Sequence, residues 1–183
     1  MIDLQNIHLS FADRVVFDGV TWAIADKSRT GLVGDNGTGK TTLFRTILGE
    51  MEPDQGKVVI TARHKKVIGY LPQEAVLDSN LTLWEEELTV FAPLIQMQNE
   101  LHTLEARLSS ETQSDALLEE YGRLQAAFDH AGGYTYENQL RMTLTGLGFT
   151  KSDFKRPVPQ LSGGQRTRAL LAKLLLSQPD LLL

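Results

Sequence analysis

The stretch Gly34-Asp35-Asn36-Gly37-Thr38-Gly39-Lys40-Thr41 fits the pattern GxxxxGK[ST] and restricts the fold of the chain more tightly than any other feature. The apolar run Thr30–Val33 before it reads as a short buried strand, and Thr41–Leu48 after it has helical spacing that stops at Gly49. A glycine-rich loop in that position turns successive backbone N–H groups inward, and the helix dipole adds to their attraction for phosphate oxygens. Lys40 then reaches the outer phosphates as a point charge, and the Thr41 hydroxyl is suited to ligate Mg²⁺ bridging them. Taken alone, the same glycines would also serve to cap a helix. Their place between an apolar strand and an amphipathic helix favours phosphate binding.

Around this loop the pattern changes twice. Residues 2–24 alternate, with Ile2, Leu4, Ile7, Leu9 and Phe11 in one run and Val20, Trp22 and Ile24 in another, separated by a polar turn near Asp13-Arg14. Such alternation predicts half-buried antiparallel sheet. Lys57–Thr61 and Val67–Leu71 read as two further strands. From Thr82 the apolar residues recur every three or four positions, first as Leu94, Met97, Leu101, Leu104 and Leu108, then as Leu117, Tyr121, Leu124 and Phe128. The polar stretch Ser109–Ser114 between the two sets predicts an antiparallel helical hairpin over about residues 92–130. Another helix is expected from about Tyr134 to Leu147. Arg156-Pro157-Val158-Pro159 reads as a rigid, extended linker, and Leu181–Leu183 as the start of a buried strand.

A second glycine motif, Leu161-Ser162-Gly163-Gly164-Gln165, precedes a helix carrying Arg166, Arg168, Leu170 and Leu174. Ser162 is suited to cap that helix while the glycines expose backbone donors, which describes either a plain helix cap or a second anion site. Composition narrows the classes further. The 183 residues contain no cysteine, which excludes disulfides, thiolate zinc sites and cysteine nucleophiles, and a net charge of -5 argues against coating nucleic acid by bulk electrostatics. No window approaches eighteen uninterrupted apolar residues, so the chain is read as cytoplasmic and without a membrane span of its own.

The two motifs together resemble those of the ABC ATPases, Leu161–Gln165 matching the family's signature and Gly34–Thr41 its phosphate loop. The resemblance implies an α/β P-loop NTPase fold of the ABC type with an antiparallel β lobe and an inserted helical lobe. Residues 1–81 and 161–183 would form the ATP-binding core with the β lobe, and 82–160 the helical lobe. It also implies ATP and Mg²⁺ as cofactors, held by Gly34, Asp35, Asn36, Gly37, Thr38, Gly39, Lys40, Thr41 and Thr42, with Lys40 as the catalytic cation. Gln73, in Tyr70-Leu71-Pro72-Gln73-Glu74, resembles the glutamine that contacts Mg²⁺ and water in the family. Phe11 sits where the family places an aromatic ring against adenine, with Val16 nearby. As a residue, Phe11 also continues the apolar alternation and would serve as β-lobe core.

Leu161, Ser162, Gly163, Gly164 and Gln165 would, by the same resemblance, touch the nucleotide of a partner: a second ABC domain on the same chain or in a dimer. The segment resembling Gln178-Pro179-Asp180-Leu181-Leu182-Leu183 runs in the family into the aspartate and glutamate that support Mg²⁺ and activate water. The chain stops before them, which implies a core incomplete at the C-terminus, ATP binding with poor hydrolysis by these residues, and an ATPase parent protein.

The leucine-spaced hairpin, the stretch Tyr121-Gly122-Arg123-Leu124-Gln125 and Gly132-Gly133-Tyr134 resemble the first ATPase domain of the ABC-F branch. That branch comprises soluble proteins with paired ATPase domains, many acting on the translating ribosome. The alternative is the ATP-binding subunit of a membrane transporter, docked on separate transmembrane subunits. Lys155-Arg156-Pro157-Val158-Pro159-Gln160 does not resemble the segment many exporters carry before the signature. Acidic residues outnumber Arg107 and Arg123 between Glu85 and Asp129, which is unlike an arm that grips RNA.

Overall fold

A computed structural model of the chain describes residues 1–12, 14–61, 67–72, 77, 79–110 and 115–183. The chain divides into two compact units, residues 1–68 with 180–183, and residues 69–179.

The first unit is built on a three-stranded antiparallel sheet of β1 (Ile2–Phe11), β2 (Arg14–Ile24) and β3 (Gln55–Ile60), in the order β2-β1-β3. The apolar residues of β1 skip from Leu4 to Ile7, three positions where a flat strand needs two. The pairing with β2 shifts register between those residues, and Asn6 adopts a φ of 51°. This bulge returns Ile7 and Leu9 to the inner face. Helix α1 (Lys40–Leu48) buries Leu43 and Ile47 against Ile2, Leu4, Ile7, Leu9 and Phe17. Its last turn closes at Gly49, whose N–H bonds the carbonyl of Thr46.

The strand expected at Thr30–Val33 does not form. Leu32 is 37% exposed and Val33 94%. A strand persists only where a neighbour satisfies its backbone groups, and among the described residues no strand pairs with this segment. A strand does form at the apolar end, β5 (Leu181–Leu182), paired with the two-residue β4 (Ile68–Gly69), but it is not the buried strand expected. Leu181 is half-buried and Leu182 46% exposed, since among the described residues only β4 pairs with it. Asp180 fastens it, donating its N–H to the Val67 carbonyl and accepting the Val67 N–H on its carboxylate at 2.9 Å.

The second unit is helical: α2 (Leu83–Leu88), α3 (Ala92–Ser110), α4 (Asp115–His130), α5 (Tyr136–Gly146) and α6 (Gly163–Leu176). Helices α3 and α4 form the hairpin that the two leucine-spaced runs predict, and Tyr121 ties them by donating to the Glu105 carboxylate at 2.9 Å. Leu83, Phe91, Leu101, Phe128, Leu140, Leu144, Val158 and Ala169 belong to one continuous core. The expected extended linker at Arg156–Pro159 is a correction. Arg156 and Pro157 are extended, but Val158–Gln160 is a tight 3₁₀ turn, and Val158 is completely buried. The apolar side chain is drawn into the core, its N–H bonding the Leu81 carbonyl, and proline is tolerated in a first helical turn.

Candidate functional site: the phosphate loop

Helix α1 opens without a side-chain cap and with no acidic residue in its first turn. Its first intrahelical bond runs from the Leu43 N–H to the Gly39 carbonyl at 2.8 Å, so the N–H groups of Lys40, Thr41 and Thr42 precede the ladder. They and the positive end of the helix dipole face the loop. Helix α6 in the other unit is finished differently: Ser162 accepts the Gln165 N–H, and the Gln165 side chain accepts the Ser162 N–H at 2.9 Å, a complete capping box. That box satisfies the N–H groups of Ser162 and Gln165 internally. The uncapped α1 retains donors for an anion.

The loop itself wraps around its lysine. Lys40 Nζ donates to the carbonyls of Gly34 and Asp35, both at 2.7 Å, placing the ammonium inside the turn. The Thr38 hydroxyl donates to the Asp35 carbonyl at 2.9 Å and holds the middle of the loop. Gly39 has a φ of 94°, and a Cβ there would lie 2.7 Å from Val16 Cγ1 and 3.0 Å from Phe17 Cε1. Only glycine joins loop to helix at this approach. A cavity of about 260 Å³ opens beside the loop, lined by residues that include Phe17, Leu32, Gly34, Thr38, Gly39 and Lys40. The Thr41 side chain is exposed at the first turn and Thr42 is half-buried.

Of the other residues singled out by sequence, Val16 lies against Gly39 and Phe11 ends β1 with 48% of its surface exposed, outside the core. Gln73 lies outside the described residues. The five residues Leu161–Gln165 belong to the helical unit, where Leu161 is buried and a Cβ on Gly163 or Gly164 would meet nothing within 4 Å. Packing within the chain therefore does not require glycine at either position, and their backbone stays open to an approaching group. Arg166 braces the motif by donating to the carbonyls of Leu161 and Pro159. Removing the cap with Ser162→Ala is expected to lower stability by about 1 kcal/mol in a urea titration, with no change if the cap is idle.

Two residues at the loop escape a reading of the sequence. Arg14, a plain turn residue by its neighbours, donates from Nη2 to the Gly37 carbonyl at 2.7 Å. Phe17 lies in the β2 core and also lines the cavity. No local pattern signals either, because both contacts join residues more than twenty positions apart.

The sequence and the fold are matched by known proteins. The chain is 33% identical to ABC transporter F family member 5 of Arabidopsis thaliana over 186 residues, covering 100% of the chain and 27% of that protein. It is 34% identical to the energy-dependent translational throttle protein EttA of Mycobacterium tuberculosis, covering 98% of the chain and 31% of that protein. The chain spans about a third or less of the length of these relatives. Its fold is that of an ATP-binding subunit of an ABC transporter, with a TM-score of 0.64 at 19% identity, covering 100% of the chain and 64% of that subunit. The family model described as ABC transporter matches residues 17–183, from the strand beside the phosphate loop to Leu183, and the chain belongs to that family as an ATP-binding domain.

Proposed function

We propose that this chain is the ATP-binding domain of a cytoplasmic ABC-F-type protein that couples ATP binding and hydrolysis to conformational change during translation. The observation that carries the reading is the uncapped N-terminus of α1 with the Lys40 ammonium inside the adjoining loop. Together they supply backbone donors, a helix dipole and a cation to a polyphosphate. The ABC-F assignment is supported by 33% identity, over the whole chain, to a protein named as a member of that group. Translation is supported by the likeness to the translational throttle protein.

Gly34–Thr42 would hold the phosphates, Phe11 and Val16 the nucleoside, and Leu161–Gln165 a nucleotide bound by a second ABC domain. The residues present fit Mg²⁺: Thr41 offers an exposed hard oxygen. Mg²⁺ in phosphate sites keeps several waters and binds through one or two protein oxygens and the phosphates, which a single hydroxyl of this kind can serve. When bound, Mg²⁺ neutralises charge on the phosphate oxygens, while Lys40 orients them. Among the described residues no helix is long and apolar enough to cross a membrane.

Titration with fluorescent ATP in Mg²⁺ tests the reading. Lys40→Ala is expected to weaken binding about tenfold or more, the loss of one charge-assisted contact. Equal binding by both proteins would show that the loop is not the nucleotide site. Phosphate release on the same samples reports turnover separately.

A further inference from the structure

We infer that Arg14 is a positioning residue for the phosphate loop, setting the direction of the peptide that joins Gly37 to Thr38; this rests on the ATP-binding reading above. Three facts converge on it. The Arg14 guanidinium donates to the Gly37 carbonyl at 2.7 Å across 23 residues of sequence. Gly37 has a φ of 82°, in the left-handed region where neighbouring residues leave glycine free to turn its peptide. The Thr38 N–H, on the far side of the same peptide, points to the Asp35 carbonyl at 3.4 Å, within the loop.

A trans peptide is planar, with its C=O and N–H directed oppositely. Holding the Gly37 oxygen toward Arg14 therefore holds the Thr38 N–H toward the interior of the loop, where phosphate oxygens would lie. Without that anchor only the long contact of the Thr38 N–H to the Asp35 carbonyl holds the peptide, and glycine at this φ lets it rotate more readily and present a carbonyl oxygen, which repels phosphate. Arg14 also stands directly opposite Phe11 across the hairpin, and two residues further along β2 Val16 packs on Gly39. One short stretch of β2 thus touches the loop at both of its last two glycines, so the hairpin that would carry the base contact also sets the phosphate donors.

The contact is a single bond to one guanidinium nitrogen, which a lysine ammonium can replace. Arg14→Ala is expected to weaken ATP·Mg²⁺ binding about three- to tenfold, and Arg14→Lys to restore it to within about twofold, with unchanged thermal melting in both. In nucleotide-free protein the Gly37 and Thr38 amide resonances in a ¹⁵N–¹H spectrum should move in the alanine variant and return toward their original positions in the lysine variant. A merely structural arginine on the hairpin would leave them in place. Unchanged binding and unmoved amides in Arg14→Ala, or no recovery with lysine, would overturn the inference while the Lys40→Ala loss still upheld the ATP site. Failure of the unaltered chain to bind ATP would sink the ATP-binding reading and the inference with it.

Discussion

Glu87→Gln is expected to raise the stability of the helical unit by about 3 kcal/mol at pH 7 and to flatten its dependence on pH. Glu87 is fully buried in α2, and neither carboxyl oxygen has a hydrogen-bond partner among the described residues. Burial pushes its pKa up to about 8. The charge of Lys173 works against that rise, and Glu86 adds to it. The neighbouring Glu86 differs: burial raises its pKa, but hydrogen bonds from Lys173 and Ser79 outweigh burial and leave it lowered. Lys173 is thus committed to Glu86, and Glu87 stays a neutral acid in the fold.

The sign follows from proton counting. Below about pH 4.5 both folded and unfolded chains hold the Glu87 proton, and no penalty exists. Between there and about pH 8 only the folded chain holds it, so stability falls as pH rises, by about 1.4 kcal/mol per unit. Above that window the penalty is complete and constant. A glutamine amide has no proton to lose, so urea titrations from pH 5 to 9 should give a falling stability for the unaltered chain and a flatter one for the variant. Asp153, held at about 2 by hydrogen bonds from Thr150 and by Arg156, loses its contribution only in strong acid and does not enter this range. Parallel pH profiles for the two proteins would show that Glu87 is already ionised and satisfied in the fold.

Gly39→Ala should abolish ATP binding and cost the first unit about 3 kcal/mol. The new side chain must adopt a φ of 94°, a conformation that costs an L-residue roughly 1–2 kcal/mol. Its Cβ would also lie 2.7 Å from Val16 and 3.0 Å from the Phe17 ring, which is buried in the sheet core and has little room to move. Overpacking of that kind adds about 1–3 kcal/mol. Relief requires the loop to move away from β2, which tilts the N–H groups at the start of α1 off the phosphate positions. Urea titration and ATP binding measured on the same sample check both effects. Retained binding in a stable variant would mean that the loop reaches its bound geometry without this glycine.

The phosphate loop and the helical hairpin were legible because each is encoded by neighbours in sequence. Gly39 and Lys40 mark the start of α1, and the three- and four-residue spacing of Leu94–Leu108 and Leu117–Phe128 describes helix faces without reference to the rest of the chain. Ser162 and Gln165 likewise spell out their own capping box. Thr30–Val33 was misread because apolar residues favour a strand only where another strand lies beside them, and periodicity carries no information about that neighbour. The Arg156–Pro159 segment failed for a related reason: two prolines predict an extended backbone, but burial of Val158 decides how the chain turns.

By itself, then, the sequence determined the position of the glycine-rich loop before α1, the capped helix after Leu161 and the membership of the chain in the ABC family. These depend on backbone freedom, caps and helical period, all of which act over a few residues. Only the tertiary structure decided that Arg14 holds Gly37, that Val16 and Phe17 close on Gly39, and that Lys173 pairs with Glu86 while Glu87 is left buried without a partner among the described residues. Those contacts join residues far apart in the chain, and their energies come from burial and geometry that exist only once the sheet and the helices have packed.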